Sequence, residues 1–350
     1  QVTVGKFGHQ MTPYTFKLFN VDSYFYNDKT DSGDYPISGA RTVFRAFGLN
    51  LNLWAGVHPQ DYACPSSTGG MFLPGLLLGP SAGHFVGTEI GDIKALCLDQ
   101  SFGGRIAYQR RRWGIAGNYF EGASTASDAF RRLQVFGGDL WCRVLGNVEV
   151  RAEFAQTRWS SQPGFTPPGG MQNGDNRQAF DVRASVPVGR SQLVGFYKNI
   201  GSGFDAPGAW GRMGRWFNPR GIEGFGGTLS YPFGRRLALD AQGATYRIKW
   251  DGDLGIPSDG DILYLRAGLR HALSARNSVE LGYEHVGYDY EDRPGELERY
   301  YNVGWAHQFT PNMTFRFLYQ IMRVGQAGSF SGSTNDFAAH VLVTQFTARF

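Results

Sequence analysis

No stretch of this 350-residue chain approaches the ~18 consecutive apolar residues that a membrane-spanning helix needs. Cysteine is scarce: Cys64, Cys97 and Cys142 are the whole set, which excludes a disulfide-dense scaffold. Charge bias is small. The formal net charge is +4, and Arg110-Arg111-Arg112, the densest basic cluster, reads as a tight turn, so nucleic acid is not an expected partner. Catalytic signatures are missing as well. His9, His58, His84, His271, His285, His307 and His340 are scattered, none at i, i+2 or i+4 from another with a carboxylate partner. There is no Gly-x-Ser-x-Gly elbow, Walker loop or Cys-x-x-Cys. No signal peptide is present, so Gln1 reads as the start of a processed or trimmed chain. No linker is visible, and residues 1–350 are expected to form a single domain with no resident cofactor.

Glycine (49 residues) and aromatics (15%) are what the chain has in excess, a balance that suits strongly curved sheets with aromatic girdles. The end of the chain shows the underlying pattern. Phe350, Ala348, Phe346, Thr344, Leu342 and His340 alternate with Arg349, Thr347, Gln345, Val343 and Val341. A strand points alternate side chains to opposite faces, so one face here is mostly apolar and the other carries Arg and Gln. The same period gives sixteen strand segments: 1–8, 37–47, 49–58, 100–110, 112–121, 133–144, 147–158, 178–187, 191–200, 222–232, 237–249, 262–273, 278–288, 299–309, 312–324 and 337–350. Short connections such as Phe47-Gly48-Leu49 and Thr310-Pro311-Asn312 alternate with long ones, 9–36, 59–99, 159–177 and 201–221.

Within strands the two faces separate cleanly. Val148, Val150, Ala152 and Phe154 alternate with Glu149, Arg151 and Glu153; Met313, Phe315 and Phe317 alternate with Thr314 and Arg316. Leu51, Phe154, Val182, Leu265, Phe315 and Phe346 are therefore expected on a lipid-facing wall. An Arg or Lys against lipid costs ~2–4 kcal/mol at the midplane, so the charged set belongs on the other side. The pore-lining candidates are Arg41, Arg45, Arg105, Arg112, Asp139, Arg143, Glu149, Arg151, Glu153, Asp181, Arg183, Arg266, Arg270, Glu280, Glu284 and Arg316, joined by Lys198, Asp240 and Arg349. Twelve cations against seven anions predict a mild anion preference, with Arg41, Arg45, Arg105 and Arg316 expected to be unpaired. A lumen so charged is expected to be wet.

An amphipathic strand ending on an aromatic resembles the closing strand of bacterial outer-membrane β-barrels. Together with the strand count and the short–long alternation, it makes the chain similar to the general bacterial porins. The fold this implies is all-β: a closed antiparallel transmembrane β-barrel of about sixteen strands, with short periplasmic turns and long extracellular loops. The resemblance also implies an outer-membrane location, a homotrimer set among lipid and lipopolysaccharide, and passive diffusion of small hydrophilic solutes and ions. The longest connection, 59–99, is the candidate to fold over or into the lumen, although it follows the third strand rather than the fifth. Val4-Gly-Lys-Phe7, Thr12-Pro-Tyr14 and Asp31-Ser-Gly-Asp34 more weakly resemble the barrel start of S-layer-homology porins. The alternatives are a substrate-specific channel for a sugar or organic anion, a barrel enzyme, and a closed structural or adhesive barrel. For a sugar channel, Trp54, Trp141 and Tyr264 are the sliding contacts to consider. Cys64 and Cys97 flank one loop and are a disulfide candidate, while Cys142 reads as a small wall hydrophobe. Asp251, Asp253, Asp259 and Asp261 are a weak Ca²⁺ candidate against simple solvated carboxylates.

Overall fold

Alternation becomes strand along nearly the whole chain. The computed structural model describes residues 1–17, 33–58, 99–123, 131–144, 147–161, 176–214, 216–249, 259–291, 294–326 and 337–348. Its strands are β1 (Val2–His9), β2 (Tyr35–Ala46), β3 (Leu49–Val57), β4 (Gln100–Gln109), β5 (Trp113–Ala123), β6 (Arg131–Val144), β7 (Val148–Ser161), β8 (Gln178–Val188), β9 (Ser191–Ile200), β10 (Arg212–Met213), β11 (Trp216–Phe217), β12 (Ile222–Phe233), β13 (Leu237–Lys249), β14 (Asp259–Ala272), β15 (Asn277–Tyr290), β16 (Glu296–Thr310), β17 (Met313–Gln326) and β18 (Phe337–Ala348). Sixteen of these form one sheet in chain order, and β10 with β11 makes a separate two-stranded ribbon. The fold is all-β and antiparallel, with the strand count expected. The ribbon was not expected; it falls inside what reads as one long connection, 201–221. The chain divides into two compact units: Gln1–Val182 with Lys198–Gly221, and Arg183–Tyr197 with Ile222–Phe350.

Turn chemistry sets the register. Between β2 and β3 the two central residues, Phe47 (φ 52°) and Gly48 (φ 83°), both take positive φ, and Ala46 pairs with Leu49. Positive φ at both positions is the type I′ hairpin, whose twist matches its strands; glycine takes it freely, and Phe47 takes it at a cost. Phe47 is fully exposed.

In the first unit, Asn52 pairs with Arg105, Arg105 with Asn118, and Ala116 with Asp139, so one face collects the polar side chains. The opposite face exposes Leu53, Ile106, Ile115, Leu140 and Phe154. From Phe136 to Val144 this apolar face carries no charge, over roughly 27 Å at ~3.4 Å per residue. With strands tilted ~35–45°, that covers roughly 20 Å of a lipid band ~25 Å tall. Cys142, a free thiol, lies in this run. In the second unit the apolar face exposes Phe225, Leu263, Leu265, Tyr301, Val303, Leu342 and Phe346, while Tyr264, Glu284, Tyr300 and Asn302 are buried on the other. Each of the six expected wall residues lies on the apolar face of its strand. Exposed apolar surface on this scale marks an interaction surface rather than a water-facing one.

Replacing Leu140, in the middle of that face, with Arg should lower folding stability in lipid bilayers by ~2–4 kcal/mol. Urea titration of vesicle-folded protein measures it, and an unchanged midpoint would place Leu140 away from hydrocarbon.

Candidate functional site

The polar face of the first unit changes character along its strands. Toward the short turns it is charged and open. Glu149 accepts from Arg151 Nε at 2.6 Å and faces Arg143 at 3.6 Å, and both Arg side chains are more than half exposed. Arg45 lies there without an ion pair among the described residues. Arg112 belongs to the Arg110–Arg112 turn rather than to a strand, because β5 begins at Trp113.

One step further along, Arg105 reaches from β4 to Asp139 on β6 with a two-pronged pair, Nη2 to Oδ1 at 2.9 Å. Asn118 on β5 bridges them, accepting from Arg105 Nη1 at 2.7 Å and donating to Asp139 at 3.3 Å. The expectation that Arg105 is unpaired is therefore wrong: its carboxylate comes from two strands away, not from its own. Arg41 spends its charge on the Gly8 carbonyl (3.3 Å) and the Phe7 ring (5.4 Å).

Toward the long connections the same face is dry. Tyr35, Ile37, Trp54, Phe120, Leu133 and Val135 are all buried. Residues 10–17 leave β1 and double back over Tyr35, Trp54 and Phe120 in a turn closed by Phe16 N–H to Thr12 O at 3.1 Å. Pro13 supplies the φ such a turn requires. Phe16 stacks on Tyr35 (4.4 Å), Trp54 (4.9 Å) and Phe120 (5.0 Å), and His9 packs on Trp54.

A second segment, 201–214, docks alongside. Lys17 N–H donates to Pro207 O at 2.8 Å and Ala209 N–H to Pro13 O at 2.7 Å. A Cβ on Gly208 would collide with the Pro13 carbonyl oxygen, so only glycine permits this approach. Tyr14 lies flat on Trp210 (5.8 Å) and edge-on to Phe204 (6.1 Å). Trp210 donates Nε1–H to Pro219 O, and Lys198 donates to Trp210 O, both at 2.9 Å.

Residues 10–17 thus form a strap across the sheet, pinned to the wall by carboxylates. Glu153 accepts from Tyr14 N–H at 2.9 Å, and Asp181 accepts from Tyr14 O–H at 3.4 Å while facing Lys198 Nζ at 3.9 Å. Burial pushes the Asp205 carboxyl up even though Arg220 lies 3.3 Å away. His58, just beyond β3, is held at about 4 by burial, against weaker raising effects of its hydrogen bond with Pro36 and of the Asp99 charge. Its neutral ring can donate Nδ1–H to Pro36 O and accept at Nε2 from the Ser101 hydroxyl.

Two corrections follow for the expected face. Trp54 is covered by Phe16, and Tyr264 is 2% exposed, so neither offers a free ring for a solute to slide along. Nor is the polar face wet throughout: in the first unit its long-connection end is an aromatic cluster. Residues 10–17 and 201–214 carried no signal of a covering role, since both read as ordinary loops.

The remaining expected residues are on polar faces too. Arg183 alternates with Val182 on β8. In the second unit Arg266 pairs in register with Glu284, Arg270 with Glu280 (3.9 Å), and Arg316 lies beside Gln345. Asp240 accepts from Ser230 at 2.6 Å. The 59–99 connection falls outside the described residues except at Asp99, and so do Cys64, Cys97, Asp251, Asp253 and Arg349. Asp259 and Asp261 lie on β14, on its apolar face, in register with Lys249 and Arg247.

No family model matches the chain, and no curated protein matches it. Among solved structures it is similar to OmpT, an outer membrane protein of Vibrio cholerae (10% identity, TM-score 0.39, covering 71% of this chain and 86% of that one). It is also similar to a bacterial polysaccharide outer membrane secretin (11%, 0.28, 72% and 90%) and to the CymD monoaromatic hydrocarbon channel (10%, 0.28, 91% and 83%). At such identities these likenesses bear on neither activity nor partners.

Truncating the strap's central ring, Tyr14→Ala, should cost the strap ~3 kcal/mol of packing, more than a tenfold change in opening. Trypsin cleavage after Lys17 should accelerate accordingly; unchanged cleavage would mean that Tyr14 does not hold the strap. A pH dependence also follows. The folded chain keeps His58 neutral, whereas the unfolded chain takes up its proton below about pH 6.5. The stability linked to His58 is thus complete above about 6.5 and is lost as pH falls toward about 4. His58→Gln should flatten the unfolding midpoint across that window.

Proposed function

We propose that the chain is a bacterial outer-membrane β-barrel whose polar face lines a water-filled path for passive diffusion of small hydrophilic solutes and ions. The observation that supports this most directly is the segregation of faces. Through the middle and turn end of the strands ionised side chains collect on one face and are exposed at the turn end, while the other face exposes Leu, Phe and Ile. Water is required on the first face and hydrocarbon suits the second. On this reading the long connections are extracellular, the turns periplasmic, and the assembly a homotrimer among lipid and lipopolysaccharide. The chain acts as a channel and not as an enzyme.

A second reading, a substrate-specific channel, is favoured by one feature. Residues 10–17 fold onto the polar face and narrow the path, a constriction that a sugar or organic ion would have to pass. Planar-bilayer recording separates the two. Ohmic conductance unaffected by sugars or organic anions supports the diffusion channel, and saturable block by one solute supports the specific one. If neither the wild type nor a variant lacking residues 12–16 conducts, the barrel is a closed structural one.

Selectivity should be mildly anionic, because Arg45 and Arg316 make no ion pair with a described residue. Replacing both with Gln should move the reversal potential in a salt gradient toward cations. A clear cation preference in the wild type would sink this assignment.

A further inference from the structure

Charged residues on the apolar face gather at its long-connection end, and several of them face an opposite charge. In the first unit Glu121 accepts from Arg132 Nε at 2.5 Å and from Gln134 at 2.9 Å, and Arg158 lies over the Phe136 ring at 5.5 Å. In the second unit Lys249 pairs with Glu223, and Arg247 stands in register between Glu223 and Asp261.

Arg299 and Arg323 are placed differently. They face each other directly across β16 and β17, and both are exposed. The residue opposite Arg299 on β15 is His285, and the one opposite Arg323 on β18 is Ala338. Their same-face strand neighbours are Leu297, Tyr301, Ile321 and Gly325, so no described carboxylate faces either guanidinium. The glutamates nearest in sequence, Glu296 and Glu298, belong to the other face, where Glu298 is buried. Like charges directly opposite repel, and two forked donors at cross-strand spacing match the oxygens of one phosphate.

Beneath this row the surface changes to aromatic and then apolar. Tyr283 and Tyr301 pair in register one step toward the turns. Next to them is a groove of about 660 Å³, walled by Leu193, Leu265 and Tyr283 and floored by Gly195 and Gly243. Leu265 of the groove is in register with His285, which faces Arg299.

We infer that Arg299, Arg323 and His285, together with this groove, form a binding site for one anionic membrane lipid, with its phosphate on the guanidiniums and an acyl chain in the groove. The inference rests on the reading of the apolar face as lipid-embedded. Charge complementarity selects the occupant. A second copy of this chain presenting the same patch would add cations, whereas a lipid phosphate removes the repulsion and its chain fills a trough too apolar for water.

Native mass spectrometry of the full chain recovered from vesicles of phosphatidylcholine with phosphatidylglycerol tests the site. Only protein that co-floats with pure phosphatidylcholine vesicles is counted, so failure to float overturns the embedded reading itself, and the inference with it. Wild type should retain one phosphatidylglycerol at least fivefold over phosphatidylcholine. Arg299→Gln with Arg323→Gln should abolish the preference, and Arg132→Gln, whose partner is Glu121, should keep it. Gly195→Leu fills the groove without a clash, since a Cβ there meets nothing within 4 Å, and should weaken retention severalfold. Floating protein whose double variant keeps the preference, or whose bound lipid is displaced by equimolar inorganic phosphate, would falsify the lipid site while leaving the channel reading intact.

Discussion

Hydrocarbon does not accept an unpaired ion, and the arrangement of this chain depends on that exclusion. A charge at mid-bilayer costs ~2–4 kcal/mol, comparable to a large part of a fold's net stability. With a side-chain period of two, a strand can satisfy the exclusion only by putting every ionisable residue on the same parity through its middle. A one-residue slip would invert the set. The hairpin at Phe47-Gly48 therefore matters beyond its own few contacts. It keeps Arg41 opposite Trp54 and Arg45 opposite Asn50, and so keeps both guanidiniums on the polar side. Where the exclusion relaxes, at the long-connection end, charges reappear on the apolar face, and there Glu121 with Arg132 and Glu223 with Lys249 are paired.

The polar face obeys a different rule. It tolerates ions, but ions need either water or partners. In the first unit both solutions are used in turn. Arg143, Glu149 and Arg151 are solvated near the turns, Arg105 and Asp139 are tied through Asn118, and beyond them the aromatics take over. Four rings, Phe16, Tyr35, Trp54 and Phe120, fall within stacking distance, and each such contact contributes ~0.5–1.5 kcal/mol beyond its buried area. Burying them leaves the backbone of residues 10–17 to be satisfied. Docking to 207–209 and to Glu153 does that, so the two segments stabilise each other rather than hanging independently.

Strand positions and faces were legible in the sequence because they follow from local information: alternation such as Val148 to Phe154, and turn residues such as Pro311-Asn312. The strap was not. Phe16 meets Phe120 from more than a hundred residues away, and nothing in Thr12-Pro13-Tyr14 distinguishes a turn in solvent from one folded onto the sheet. Parity placed Trp54 correctly but could not say what would cover it. Arg105 fails for a related reason. Its partner is two strands distant, and only the accumulated register of β4, β5 and β6 brings Asp139 level with it. Counting charges by strand therefore overestimates how many are free.

Each ion pair takes one charge of either sign out of the count, so the excess of cations persists. Asp139 is bound to Arg105, Asp181 is shared between Lys198 and the Tyr14 hydroxyl, and Glu153 is committed to the Tyr14 amide. In the second unit Glu284 is buried opposite Arg266. The carboxylates of the polar face are thus mostly enlisted in holding structure, including the strap itself, while Arg143 and Arg151 share Glu149 and Arg45 makes no ion pair with a described residue. In the proposed channel a passing ion meets the surplus cations rather than the paired ones. The strap and the selectivity are then coupled: releasing residues 10–17 would both widen the path and return Glu153 and Asp181 to it, so an opened channel should discriminate less between anions and cations than the strapped one.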